Sequence, residues 1–194
     1  MDEESQNDHL KAYGIAFWTL ENDLTVDWLL NYRGGSFLVE NQTEIEKECI
    51  VRGVSYEIIT NSFRQQLQIE LANPESNTDI IKLEKAPKVA VYSPEGNLPW
   101  DDAVTMVLTY SEIPYDIIYD EEILSDLLPM YDWIHLHHED FTGQYGKFYA
   151  SFKNAPWYIE QKRKFEADAT KLGFSKVSTQ KLEVALKIKE FLAG

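Results

Sequence analysis

Strand and helix patterns alternate between residues 88 and 136, and this alternation strongly limits the folds open to the chain. The three strand patterns are KVAVYSP (88–94), YDIIYD (115–120) and DWIHL (132–136). The two helical patterns between them are PWDDAVTMVLTYSEI (99–113) and EEILSDLLPM (121–130). The first strand pattern is apolar, β-branched and aromatic, which is typical of a strand buried on both faces of a parallel sheet. A β-α-β-α-β order with short connections predicts a parallel sheet with helical crossovers.

The N-terminal half has a similar rhythm and predicts the same architecture. Its helical patterns are HLKAYGIAFWTLEND (9–23), TEIEKECI (43–50) and NSFRQQLQIELAN (61–73). Its extended patterns are TVDWLLNY (25–32), RGGSFLV (33–39) and VSYEIIT (54–60), and LANPESNTD (71–79) has the composition of a turn or linker. We therefore predict a Rossmann- or flavodoxin-like α/β chain with an N-terminal segment, 1–85, and a second segment, 86–194.

The two ends of the sequence carry helical patterns that no strand pattern completes. No strand pattern precedes the first helix, and none follows STQKLEVALKIKEFLAG (178–194), which stops on a glycine suited to a helix C-cap. In a repeating strand–helix order the next strand would begin at Gly194. The pattern predicts a fold that is truncated at its C-terminal end.

Composition excludes several classes of function. A net charge of −15 opposes non-specific binding to nucleic acid or to anionic lipid. The single cysteine, Cys49, excludes an intrachain disulfide and a cysteine-based zinc site. No apolar run reaches the roughly 18–20 residues that span a membrane, and the acidic start differs from a signal peptide. No feature of the sequence specifies a cofactor, an oligomeric state or a compartment.

Histidines and carboxylates are concentrated at the end of the third strand pattern. Three of the four histidines fall within four residues, and two acids follow them: His135, His137, His138, Glu139 and Asp140. If residues 133–136 form a strand, the last four of these side chains lie at or just beyond its carboxyl end. Open parallel sheets bind ligands at that edge.

Three interpretations of this stretch remain open. Imidazole and carboxylate could bind a divalent metal such as zinc, iron or manganese, as in a metal-dependent hydrolase, although adjacent side chains diverge. A histidine beside carboxylates could exchange protons with a bound small molecule, and Gly143 and Gly146, on either side of Gln144 and Tyr145, would let the backbone approach that ligand. The polar side chains could instead only hydrogen-bond the loop backbone while the loop aromatics pack.

A second candidate lies in NYRGGSFLV, where Arg33 stands beside Gly34 and Gly35 at another strand end. An arginine there could bind a carboxylate or phosphate, although the spacing is not that of a phosphate-binding loop. Asp101 and Asp102 are predicted to cap the following helix.

Several stretches together resemble the Bacteroidota proteins labelled asparagine synthetase B. They are HLKAYGIAFWTLENDLTVDWLLNYRGGSF, KVAVYSP with PWDDAV, and DWIHLHHEDFTGQYGKFYASF. The resemblance covers most of the chain and implies a class I glutamine amidotransferase-like fold, with a small-molecule amide site at the strand carboxyl ends. Combined with the position of these residues at strand ends, it leads us to predict that His137, His138 and Glu139 are catalytic. The predicted ligand-binding residues are Arg33, Gly34, Gly35, His135, Asp140, Gly143 and Gln144.

The resemblance also bears on activity and compartment. In similar proteins a glycine-rich strand beyond the equivalent of Gly194 leads to a cysteine nucleophile, and a signal-like segment often comes first. This sequence contains neither feature. Without the cysteine, it is expected to lack glutaminase activity. It is expected to be cytoplasmic as given, or periplasmic if a signal segment has been lost. The alternative is a non-catalytic α/β module that binds a ligand or a partner protein.

Overall fold

The structure is a computed structural model that describes residues 8–73, 75, 77–94, 102–136, 141 and 150–194. The chain divides into two units. The first comprises Met1–Pro87 together with Ala103–Pro114, and the second comprises Lys88–Asp102 together with Tyr115–Gly194. Among the described residues, none of the helices has the length and apolar character needed to cross a membrane.

In its described residues, the first unit combines a three-stranded antiparallel sheet with four helices. The helices are α1 (His9–Glu21), α2 (Thr43–Arg52), α3 (Asn61–Leu71) and α4 (Ala103–Ser111), and the strands are β1 (Val26–Leu30), β2 (Ser36–Val39) and β3 (Asp79–Leu83). The strand order is β2-β1-β3, so β1 is central. Trp28 of β1 is in register with Phe37 on one side and Ile81 on the other.

The two faces of this sheet pack against different helices because side chains alternate along each strand. Val26 is fully buried against Ala16 and Leu20 of α1. Leu29, on the opposite face, packs against the buried leucines of α3, Leu67 and Leu71. The first unit therefore has a helix layer on each side of its sheet.

Helices α1 and α4 approach each other closely at Gly14. A Cβ atom at this position would lie 1.8 Å from the carbonyl oxygen of Ser111, so only glycine fits without a shift of the backbone. Glu112, which follows α4, accepts a hydrogen bond from Lys11 at 2.6 Å and lies 3.5 Å from Arg52. This carboxylate links the end of α4 to both α1 and α2.

The second unit contains a three-stranded parallel sheet flanked by helices. Its strands are β4 (Val89–Tyr92), β5 (Asp116–Ile118) and β6 (Trp133–Leu136), and its helices are α5 (Asp120–Leu124), α6 (Pro156–Lys171) and α7 (Val177–Ala193). The strand order is β5-β4-β6. One face of the sheet packs on α5 and α7 through a cluster that includes Ala90, Ile134, Ile123 and Val184.

The structure confirms the predicted α/β class, with a parallel sheet and helical flanks in the second unit. The N-terminal half, however, does not repeat the parallel strand–helix rhythm, because all three of its strands pair antiparallel. The predicted strand at 54–60 is wrong, since these residues form neither helix nor strand. The third strand of this sheet is Asp79–Leu83, which begins at the last residue of the predicted linker.

Candidate functional site at the carboxyl edge of the parallel sheet

The strand order of the second unit marks one position on its sheet. The chain passes from the central strand β4 to β5 on one side and then crosses to β6 on the other side. Ligands of open parallel sheets bind outside the carboxyl ends of the strands at the point where the strand order reverses. In this unit that point is the carboxyl edge between β4 and β6.

A histidine–aspartate pair lies beside this edge. His135 Nε2, on β6, is 3.1 and 3.0 Å from the two carboxylate oxygens of Asp102, which directly precedes α4. The Asp102 side chain is 2% exposed and that of His135 is 15% exposed. A carboxylate can only accept hydrogen bonds, so the Nε2 atom carries the hydrogen and Nδ1 has the basic lone pair in the neutral ring. The buried carboxylate fixes the orientation of the ring.

On the other face of the sheet, a lysine is wholly buried. Lys181 of α7 is 0% exposed. Its ammonium donates to the hydroxyls of Tyr92 and Tyr119, at 2.8 Å each, and lies 3.1 and 3.0 Å from the two oxygens of Asp120. These contacts use all three donors of the ammonium and neutralise its charge, which is the condition for burying a lysine without a large penalty.

Asp120 is the acceptor at the centre of this network. It is 2% exposed and also accepts hydrogen bonds from the Tyr92 hydroxyl and from Gln180 Nε2, at 2.5 Å each. Gln180 Oε1 is buried and has no hydrogen-bond partner within the described part of the chain. The network joins the ends of β4 and β5 to α7 through charge-assisted bonds, which are the stronger class.

Three aromatic rings stack beside the buried lysine. The Tyr92 and Tyr119 rings lie 5.0 Å apart with 28° between their planes, and the Phe141 and Tyr92 rings lie 5.2 Å apart at 17°. Tyr92 ends β4, Tyr119 follows β5 and Phe141 belongs to the loop after β6. The stack therefore joins the carboxyl ends of β4 and β5, and the Lys181 ammonium lies 4.2 Å from the Tyr119 ring centroid.

Of the sequence-predicted residues in the second unit, His135 is the one that the structure describes. The others, His137, His138, Glu139, Asp140, Gly143 and Gln144, lie outside the described residues. Among the residues that are described, no three or more His, Cys, Asp or Glu side chains are grouped to hold a metal ion.

Arg33, Gly34 and Gly35 belong to the first unit, in the connection between β1 and β2. All three have positive φ angles, of 49°, 79° and 105° respectively, and Arg33 is the residue for which this is costly. The Arg33 guanidinium donates to Glu57 at 3.1 Å, and this bond raises the arginine pKa further above its ordinary value. The predicted anion-binding cation is thus already paired with a carboxylate.

Two parts of the site were not recognised from the sequence. Asp102 was assigned to helix capping and not connected with His135, 33 positions away. The sequence analysis makes no prediction for Lys181, although this residue shares an apolar stripe with Val184 and Ile188 at helical spacing. A lysine on such a stripe is the signal that could have indicated a buried cation.

Comparisons with known proteins add no assignment: no family model, curated protein or solved structure matches the chain.

Proposed function

We propose that the second unit binds a small molecule bearing an amide at the carboxyl edge between β4 and β6, and that His135 exchanges protons with it. The observation that carries the proposal is the buried hydrogen bond from His135 to Asp102 beside the reversal of strand order. A histidine oriented by a carboxylate is the usual arrangement for general acid–base chemistry near neutral pH. In this arrangement Asp102 is a positioning residue and His135 contacts the ligand.

The edge of the sheet beside the pair is held rigidly. The Tyr119–Tyr92–Phe141 stack lies on the opposite face of the sheet, in the core where Tyr92 is 0% exposed, and it fixes the ends of β4 and β5. The network around Lys181 ties this stack to α7, so the edge is held from both the strand and the helix side.

The amide class of ligand comes from the resemblance to the proteins labelled asparagine synthetase B. The chemistry of His135 is compatible with it. An amide offers an N–H donor and a carbonyl acceptor, and its nitrogen must gain a proton when it leaves during hydrolysis. The Nδ1 atom of an imidazole held through Nε2 can accept one proton and return it to that nitrogen.

Histidine NMR tests the proposal directly, because the chain has only four histidines. The ring resonances are followed during titration with L-glutamine and with L-asparagine. A saturable shift is expected for His135 and not for His9, the other histidine that the structure describes, which lies in the first unit. If neither amide shifts the His135 ring resonances, the proposal is refuted.

Two variants sharpen the result. His135→Asn removes the proton-exchanging ring and assigns its resonance. Asp102→Asn keeps the volume but removes the carboxylate that accepts from Nε2 and orients the ring, so it should weaken the saturable shift of the His135 resonance on addition of the amide. If Asp102→Asn left that shift unchanged, Asp102 would not act as the positioning residue.

A further inference from the structure

A cavity of about 420 Å³ opens in the second unit, on the side of the sheet that packs against α5 and α7. It lies between the end of α5, the short 3-10 turn Leu128–Met130 and the last two turns of α7. This turn leads into the start of β6, whereas His135 lies towards the end of that strand, so the cavity is separate from the site proposed above. Its volume falls within the range of about 300–1,000 Å³ that is usual for small-molecule sites.

The inner wall of the cavity is apolar. Ile123 is 0% exposed and Leu128 is 3% exposed, and both belong to the core cluster beneath the sheet. Pro129 and the rings of Tyr131 and Phe191 add to this lining, and the two rings are partly buried against the same cluster. Apolar and aromatic walls favour a ligand with a compact hydrophobic body, such as a phenyl ring.

The charged side chains of the lining are Asp126, Lys187 and Glu190, two carboxylates and one ammonium with a net charge of −1. Lys187 donates a hydrogen bond to Asp126, so these two charges compensate each other. Glu190 makes no hydrogen bond or ion pair within the described part of the chain. One carboxylate at the cavity therefore remains for a ligand, and it favours a cation over an anion.

We propose that this cavity binds a small hydrophobic amine, with its ammonium group at Glu190 and its apolar body against Ile123 and Phe191. A primary ammonium carries three donors, so it can bond to the carboxylate and to water while the carbon body leaves water for the apolar wall. A ligand carrying a carboxylate or phosphate is excluded, because its charge would face Glu190. The site does not depend on the proposed function at the other end of β6.

The probe that tests the proposal is phenethylamine, and 2-phenylethanol and 3-phenylpropionate are its neutral and anionic counterparts. Each compound is titrated into the full chain while the methyl resonances of Ile123 and Leu128 are followed by NMR. Phenethylamine should shift these resonances saturably and leave those of Leu29, in the core of the first unit, unchanged. The alcohol should bind about tenfold more weakly than the amine, and the carboxylate should produce no shift.

Two variants test the role of the carboxylate. Glu190→Gln should weaken phenethylamine binding by about tenfold, the scale of one hydrogen bond to a charged group, and leave binding of the alcohol unchanged. Glu190 is exposed, so this variant is expected to fold. Glu160→Gln removes an exposed carboxylate from α6, outside the cavity lining, and should leave the affinity for phenethylamine unchanged.

Three outcomes would overturn the proposal. If phenethylamine produces no saturable shift of the Ile123 and Leu128 methyls, the cavity is not a site for this class of ligand. If the three compounds bind with equal affinity, the cavity does not select an amine. If Glu190→Gln binds phenethylamine as tightly as the Glu160→Gln control does, Glu190 does not hold the ammonium group.

Discussion

Replacing Lys181 by methionine should strongly destabilise the second unit. The substitution keeps a side chain of similar length but removes the ammonium that neutralises Asp120 and satisfies the Tyr92 and Tyr119 hydroxyls. Asp120 would remain 2% exposed with no cation beside it. Breaking a buried ion pair by removing one partner costs about 3–5 kcal/mol. Since whole domains are stable by only about 5–15 kcal/mol, this is a large fraction of the total.

A matched control separates the effect of burial from loss of a lysine. Lys171 contacts Glu121 at 2.8 Å, and both side chains are more than half exposed, at 65% and 56%. Glu121 lies next to Asp120 on α5, so the two pairs share a helix but differ in burial. Lys171→Met should leave the free energy of unfolding almost unchanged, because exposed ion pairs contribute little.

The assay is urea unfolding followed by tryptophan fluorescence, together with hydrogen exchange of peptides from β4 and α7. Hydrogen exchange is needed because a chain of two units need not unfold in a single transition. The double variant Lys181→Met/Asp120→Asn removes both charges and should recover about 2 kcal/mol or more of the single-variant loss. A Lys181→Met variant no less stable than Lys171→Met would refute the reasoning that burial decides the strength of this pair.

Three further predictions concern the first unit. Gly14→Ala should destabilise by about 1–3 kcal/mol despite the better helix propensity of alanine, because its Cβ would meet the Ser111 carbonyl oxygen; a higher melting temperature would contradict this. A hydrogen bond from Lys11 lowers the pKa of Glu112 in the folded protein below its ordinary 4.5. The ionised side chain therefore adds to the free energy of unfolding above pH 4.5, and this stabilisation is lost as the pH falls through the lower pKa of the folded state. Acid unfolding of Glu112→Gln should therefore show a shallower loss of stability over that window than the wild type, whereas Glu75→Gln, on an exposed turn, should behave like the wild type. Burial raises the pKa of the Cys49 thiol, so iodoacetamide should modify it slowly in the folded protein and rapidly in urea, and equal rates would argue against its burial.

The parallel sheet could be predicted because its central strand is buried along its whole length. All four residues of β4 are buried, so the strand reads as an uninterrupted apolar run that needs no knowledge of its neighbours. Pro114 and Pro129 also separate the helical patterns from the strands that follow. Local sequence was therefore sufficient for the order of elements in this unit.

The antiparallel sheet could not be predicted in the same way. Residues 54–60 have β-branched and aromatic composition, yet Tyr56 and Ile58 are exposed and these residues pair with no strand. The residues that do pair with β1 are Asp79–Leu83, which follow a turn-like segment. Strand propensity depends on the partner strand and on burial, and neither is visible in a local window.

The candidate site shows the same division between local and long-range information. His135 could be found because it belongs to a local cluster of histidines at a predicted strand end. Asp102 and Lys181 could not, because their partners lie 33 and 61 or more positions away and meet them only through the fold. Of the two, Lys181 has a usable local signal, a charged residue on the buried stripe of a helix.

Helix α4 has a consequence for the order in which the chain can fold. It belongs to the first unit, yet it is bracketed in sequence by β4 and β5 of the second. During synthesis the first unit cannot be complete until Pro114 has left the ribosome, by which time β4 has emerged without either of its partner strands. A protease cut after Pro87 would likewise leave the N-terminal fragment without Ala103–Pro114, so the two units are expected to depend on each other for folding even though each has its own core.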